Sequence, residues 1–216
     1  MNRAVRSVKK KGGFTLVELL VTISIFVVIT GVVLFSQNGF NNNILLQNLA
    51  YDISLSIRQA QYYGVDVNES QSAPNSQSSF SPYGIYFNLS SSNQSYIFFN
   101  DISGPAGGPD GKYNNGQVTS CPTANYSECV KRYVVGNGNS IQGIYASQSG
   151  QCVVGGAPAC AQITGGFTIL FKRPNPNAIM TDDSGATYNY ADIRVASPAG
   201  ATRDVIVTAI GQIYVQ

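Results

Sequence analysis

The sequence predicts an α+β protein, with a long N-terminal helix, transmembrane then amphipathic, packed on a C-terminal antiparallel β-sheet domain. Three observations predict it. An apolar run from Phe14 to Phe35 carries a single charge, Glu18. From Leu46 to Ala60 apolar side chains recur at steps of three and four, one face of a helix. Beyond about Val65 the period shortens to two, and Gly, Pro and Asn punctuate it.

Four segments follow from this. Residues 1–13 are short, basic and polar, and end in the pair Gly12–Gly13. Residues 14–36 form the membrane helix: 22 residues from Phe14 to Phe35 rise about 33 Å, the thickness of a bilayer core. No small-x-small cleavage site follows Phe35, so the helix is expected to be retained, unlike a secretory signal peptide. Residues 37–64 continue as an amphipathic helix, with "SQNGFNNN" as a weak point near its start and Gly64 as its C-cap. Residues 65–216 are the β-rich domain.

Within that domain, Glu69–Ser79 is Ser-rich and reads as a flexible connection. "YGIYFNL" and "SYIFFN" flank a Ser/Asn loop and read as a hairpin. "GGFTILFKRP" is a strand that Pro174 stops, and "YNYADIRVAS" is another. Val205–Thr208 and Gln212–Val215 close the domain. Ser103–Gln117 and Gly136–Gly143 are expected to be loops.

Charge is divided unevenly. Arg3, Arg6, Lys9, Lys10 and Lys11 precede the apolar run, whereas from Phe14 onward 8 basic and 11 acidic residues leave a net charge of −3. Basic residues beside an apolar segment hold that flank in the cytoplasm. The remainder offers no electrostatic reason to expect nucleic-acid binding. With no His in the chain, the commonest general base and metal ligand is missing. No nucleophile–base constellation stands out, and Asp182–Asp183 reads as a turn, so an enzyme is not expected.

The cysteines are Cys121, Cys129, Cys152 and Cys160, two C-x7-C pairs. An even count beyond a membrane segment reads as two disulfides, and the equal spacing favours Cys121–Cys129 and Cys152–Cys160 among three connectivities. A zinc site is the competing reading, but the spacing is too wide for a zinc knuckle.

No cofactor is expected. Asp101 and Asp110 in the Gly-rich stretch Phe99–Gly116 are weak calcium candidates, because the usual calcium-loop spacing is missing and a surface loop explains them equally. Four N-x-S sequons, at Asn68, Asn88, Asn93 and Asn125, leave glycosylation open.

"KKKGGFTLVELL" resembles the leader and cleavage motif of the type IV pilin superfamily, which includes pilins, minor pilins and type II secretion pseudopilins. The resemblance implies cleavage after Gly13 by a membrane prepilin peptidase, which then N-methylates Phe14. It further implies that Glu18 receives the Phe14 amine of a neighbouring subunit as a filament is built. A carboxylate at the centre of a membrane helix costs about 2.5–3.5 kcal/mol on insertion scales. Such a charge penalises wrong register and rewards the right one.

Further along, "NLAYDISLSIRQAQYYGV" resembles the amphipathic helix of the H-type minor pseudopilins, with Asp52, Leu55, Arg58, Gln59 and Ala60 near its slots. The ending "RDVIVTAIGQIYVQ" resembles that group's last hairpin, with Gly211 in the turn. Gln212 and Tyr214 stand where some related DNA-uptake proteins carry basic residues, so DNA binding is not implied. There is no proline before Pro74, leaving Gly31 and Asn38–Gly39 to supply any flexibility in the helix.

The expected role is therefore a filament subunit. Its partners would be other pilins or copies of itself, the prepilin peptidase and methyltransferase, and an inner-membrane assembly platform. It would sit in the cytoplasmic membrane as a precursor, then in a surface filament or a periplasm-spanning pseudopilus. The alternatives are a minor pseudopilin of type II secretion and, behind it, a DNA-uptake or adhesive minor pilin.

Overall fold

The computed structural model describes residues 12–66, 81–102, 108–114, 117–121, 127–151 and 160–216, with side chains 35–41 excepted. The basic leader up to Lys11, the Glu69–Ser79 connection, Cys152, Asn68 and Asn125 lie outside the described residues. The chain is α+β, with an N-terminal apolar helix and antiparallel sheets, the pilin-like architecture that the resemblance implies. It divides into two compact units, Met1–Asn41 and Asn42–Gln216.

One helix, α1 (Leu16–Val65), contributes to both units. The breaker-rich patch does not interrupt it, although the division between units falls inside that patch. In the first unit, Leu16–Leu34 has a mean hydropathy of 2.6 and none of it is buried. Its hydroxyls are satisfied within the helix: Thr22 donates to the Leu19 carbonyl, Ser24 to Leu20 and Thr30 to Phe26. Hydroxyls bonded back to the helix's own carbonyls suit an apolar solvent, which offers them no other partner.

The second unit holds two antiparallel sheets. Sheet A runs β3 (Cys129–Val134), β2 (Ser95–Asn100), β1 (Tyr83–Asn88), β6 (Gly166–Phe171), β7 (Ala178–Asp182) and β8 (Thr187–Tyr188). Sheet B runs β11 (Ile213–Val215), β10 (Thr202–Thr208), β9 (Tyr190–Ala196), β4 (Ser140–Ser147) and β5 (Ala161–Ile163).

The inner stripe of α1, Leu46, Ala50, Ile53, Ile57 and Ala60, is fully buried in one core with residues of both sheets. Ile85, Phe87, Ile169 and Phe171 come from sheet A; Ile144, Ile193, Val205 and Val207 come from sheet B. Each such side chain contributes about 1.5–3 kcal/mol by leaving water.

Sheet A is buried on its other face too. There Tyr86, Ile97, Phe99 and Leu170 pack with Tyr113 and Val118. This is why β2 and β6 read as continuous apolar runs, the pattern of strands covered on both sides.

Two expectations need correction. Gly64 is not a C-cap: α1 continues to Val65, and a Cβ at Gly64 would meet the backbone carbonyl of Phe171. The glycine is there so that the helix can approach β6. Nor is Gly136–Gly143 all loop. A tight turn with positive φ at Asn137 and Gly138 ends it early, and β4 starts at Ser140 with a bulge between Ile141 and Gly143.

Candidate assembly and processing site

Gly12 and Gly13 lie in exposed, non-helical backbone with open space where a Cβ would stand. Chain of that kind can lie extended in a protease cleft. Phe14 follows at 81% exposure, and α1 begins two residues later.

Thr15 starts the helix. Its Oγ1 accepts the Glu18 N–H at 3.2 Å, and its carbonyl accepts the Leu19 N–H at 3.2 Å. Thr15 is thus the N-cap and Glu18 stands at the third helical position, the spacing of a capping box. In the sequence, T-x-x-E ahead of an apolar run is the signal that marks Thr15.

Glu18 is exposed in the first turn, where the helix dipole favours a negative charge. Among the described residues it has no ion-pair partner. Phe14 and Glu18 therefore occupy one exposed end of an unburied apolar helix, with the carboxylate unpaired among the described residues.

In the second unit a row of polar side chains fixes α1 to the sheets. Ser56 Oγ and the Tyr96 hydroxyl are 3.0 Å apart, and Tyr133 donates to Gln59 Oε1 at 3.2 Å. The Arg58 guanidinium donates to the Ile213 carbonyl at 2.6 Å. Gln61 Nε2 donates to the carbonyls of Pro176 and Gly211, at 2.8 and 3.0 Å. Gly211 has φ 85° in the β10–β11 turn, and a Cβ there would strike the Pro176 carbonyl and the Gln61 amide. Arg58 and Gln61 thus meet the last hairpin around Gly211, Gln59 is tied to Tyr133 of β3, and Asp52 and Leu55 face outward.

Cys121 and Cys129 form a disulfide with their Cα atoms 5.5 Å apart. Cys160 is disulfide-bonded as well, and its expected partner Cys152 lies outside the described residues.

The calcium candidates are engaged with backbone. Asp101 accepts the Asp110 N–H at 3.0 Å and the Gly111 N–H at 2.8 Å, while Asp110 accepts the Lys112 N–H at 3.0 Å. Burial pushes the Asp101 carboxyl up to about 6, against the pull of those two amides. Nearby, the buried Glu128, absent from the sequence reading, holds Asn114 through its backbone and side-chain amides. Among the described residues no three acidic, Cys or His side chains are grouped to hold a metal.

Of the described sequons, Asn93 is exposed, whereas the Asn88 amide donates to Tyr86 and its oxygen accepts the Ser91 N–H.

The prokaryotic N-terminal methylation motif matches residues 8–34, which include Gly13, Phe14, Thr15 and Glu18. No curated protein and no solved structure matches the chain.

Proposed function

We propose that this chain, whose methylation motif and apolar N-terminal helix are consistent with the type IV pilin and pseudopilin family, is a structural subunit of a pilus-like filament. In this reading the prepilin peptidase cuts between Gly13 and Phe14 and methylates the freed amine. The observation that carries it is the exposed turn in which Phe14 and Glu18 stand together at the head of an unburied apolar helix.

The cut creates a cation at the membrane edge, one helical turn from Glu18. Pairing within one subunit would hold that amine at its own helix N-terminus, where the dipole disfavours it. Pairing with a neighbour removes this conflict and sets the axial stagger between subunits. The helix and motif support insertion in the membrane first, then assembly at the surface or in the periplasm.

A second reading is a minor pseudopilin of a type II secretion system. The last hairpin, which resembles that group's, favours it: Gly211 stands in its turn and is tied to α1 through Gln61, and Ile213 through Arg58.

Intact-mass measurement of the mature protein tests the shared premise. Loss of Met1–Gly13 and gain of one methyl group is expected, and a retained leader would overturn both readings. Sheared surface fibres separate the two: a pilin is abundant in them and a pseudopilin is not.

A further inference from the structure

Sheet B buries one face against α1, and on its other face Tyr190 and Ile206 are buried too, with the partly exposed Cys160 and Tyr214 packed against them. Strand register aligns the residues of that other face in rows. Gln162, Tyr145, Asp192, Ile206 and Tyr214 form a row across all five strands, and Tyr190 pairs with Thr208 in the next. Around that next row lies a groove of about 440 Å³, within the usual range for small-molecule sites.

Its floor is Tyr190 and the partly exposed Tyr214, with the exposed Ile210 at one side. Its rim carries Thr208 and the exposed amides Gln151 and Gln212. Neither of these two amide side chains makes a hydrogen bond among the described residues. Among the described residues, no Lys, Arg, Asp or Glu lines the groove. Burial pushes the Tyr190 hydroxyl up to about 12, so it stays a neutral donor.

The nearest charges are engaged elsewhere. Arg194 donates to Asp204 through Nε and Nη2, both at 2.8 Å. One oxygen of Asp192, in the row beside Tyr190, is buried with no hydrogen-bond donor. The groove therefore offers tyrosine rings and two amides that make no hydrogen bond among the described residues, and no unpaired cation among those residues lines it.

We propose that the groove floored by Tyr190 and Tyr214 and rimmed by Gln151 and Gln212 binds a neutral saccharide. The slightly positive C–H face of a pyranose packs on the negative face of a tyrosine ring. An amide gives one donor and one acceptor to adjacent hydroxyls. An anionic ligand would find no counter-charge among the described residues that line the groove. The inference does not rest on the filament reading, since the site belongs to the folded β unit alone.

The test is saturation-transfer NMR on the full chain in phosphocholine micelles, whose headgroup contains no sugar. The probes are chitotriose and cellotriose, with trigalacturonate as the acidic control. Saturation of at least one neutral trisaccharide is expected, weakened tenfold or more by Tyr214→Ala and by Gln212→Ala, and unchanged by Tyr62→Ala on the exposed side of α1. Gln212 is a surface side chain, so its variant decides the matter if Tyr214→Ala disturbs folding. The proposal is overturned by any of three results: no saturation of either neutral probe, equal binding by the Gln212 variant, or tighter binding of trigalacturonate.

Discussion

Thr15, Gly64 and Asp192 each show a side chain, or the lack of one, deciding local geometry. Thr15 closes the first turn, so the Glu18 amide is bonded while its carboxylate stays available. Gly64 stands where α1 crosses the Phe171 carbonyl, with no room for a methyl group. Gly64→Ala should therefore destabilise the β unit by about 1–3 kcal/mol, the usual cost of overpacking, read as a lowered midpoint in denaturant.

Asp192 titrates the unusual way. Burial, and then the Asp204 charge, push its carboxyl up to about 6, with Arg194 pulling the other way. The unfolded value is about 3.9, so the folded state binds the proton more tightly. Its stabilising contribution is full below about 3.9 and disappears as the pH rises through about 6. In thermal melts between pH 4 and 7, Asp192→Asn should gain stability relative to the parent chain at the upper end of that range and lose the advantage at the lower end. An equal difference at both ends would refute the assignment.

Among the elements, α1 was the most readable from sequence, because the steps Leu46, Leu49, Ile53, Ile57 and Ala60 have a single periodic explanation. Strands β1, β2, β6, β9, β10 and β11 were also visible as β-branched and aromatic runs. β3 was not, since Lys131 and Arg132 occupy the middle of an edge strand exposed to water. β4 was hidden by Gly143, which lies under the Tyr145 ring at a bulge. β7 and β8 are short; β7 follows a Pro/Asn-rich turn, and β8 follows the turn after Asp182.

The polar ties of α1 escaped notice for another reason. Gln61 and its carbonyl partners are 115 and 150 positions apart, and only the folded sheets bring them together. Replacing Arg58 and Gln61 together by Ala should leave the helix intact but loosen the β10–β11 hairpin. Hydrogen exchange at Gly211–Val215 should then speed up more than at β1 or β6, and uniform acceleration would show that the ties do not act locally.

For the molecule as a whole, the methylation motif was legible because it is local: Gly13, Phe14 and Glu18 lie within six residues. Their proposed meaning belongs to the assembly. Glu18→Ala should be cut and methylated normally, yet enter filaments poorly when it is the sole copy, as read by immunoblots of sheared fibres. Normal assembly of the processed variant would remove the registry role. The saccharide groove was invisible from sequence, since Tyr190, Thr208 and Tyr214 become neighbours only through three-strand register.

The distance in sequence between α1 and its last hairpin also sets a clock. Arg58 and its acceptor at Ile213 are separated by 155 positions. At synthesis rates of roughly 5–20 residues per second, that is about 8–30 s during which the apolar stripe from Leu46 to Ala60 has emerged without its final partners. If the membrane helix enters the bilayer early, the amphipathic half must wait beside a lipid surface that competes for the same stripe. Slowing export of the β unit should therefore expose this stretch to proteases acting outside the membrane, well before the membrane segment itself is touched.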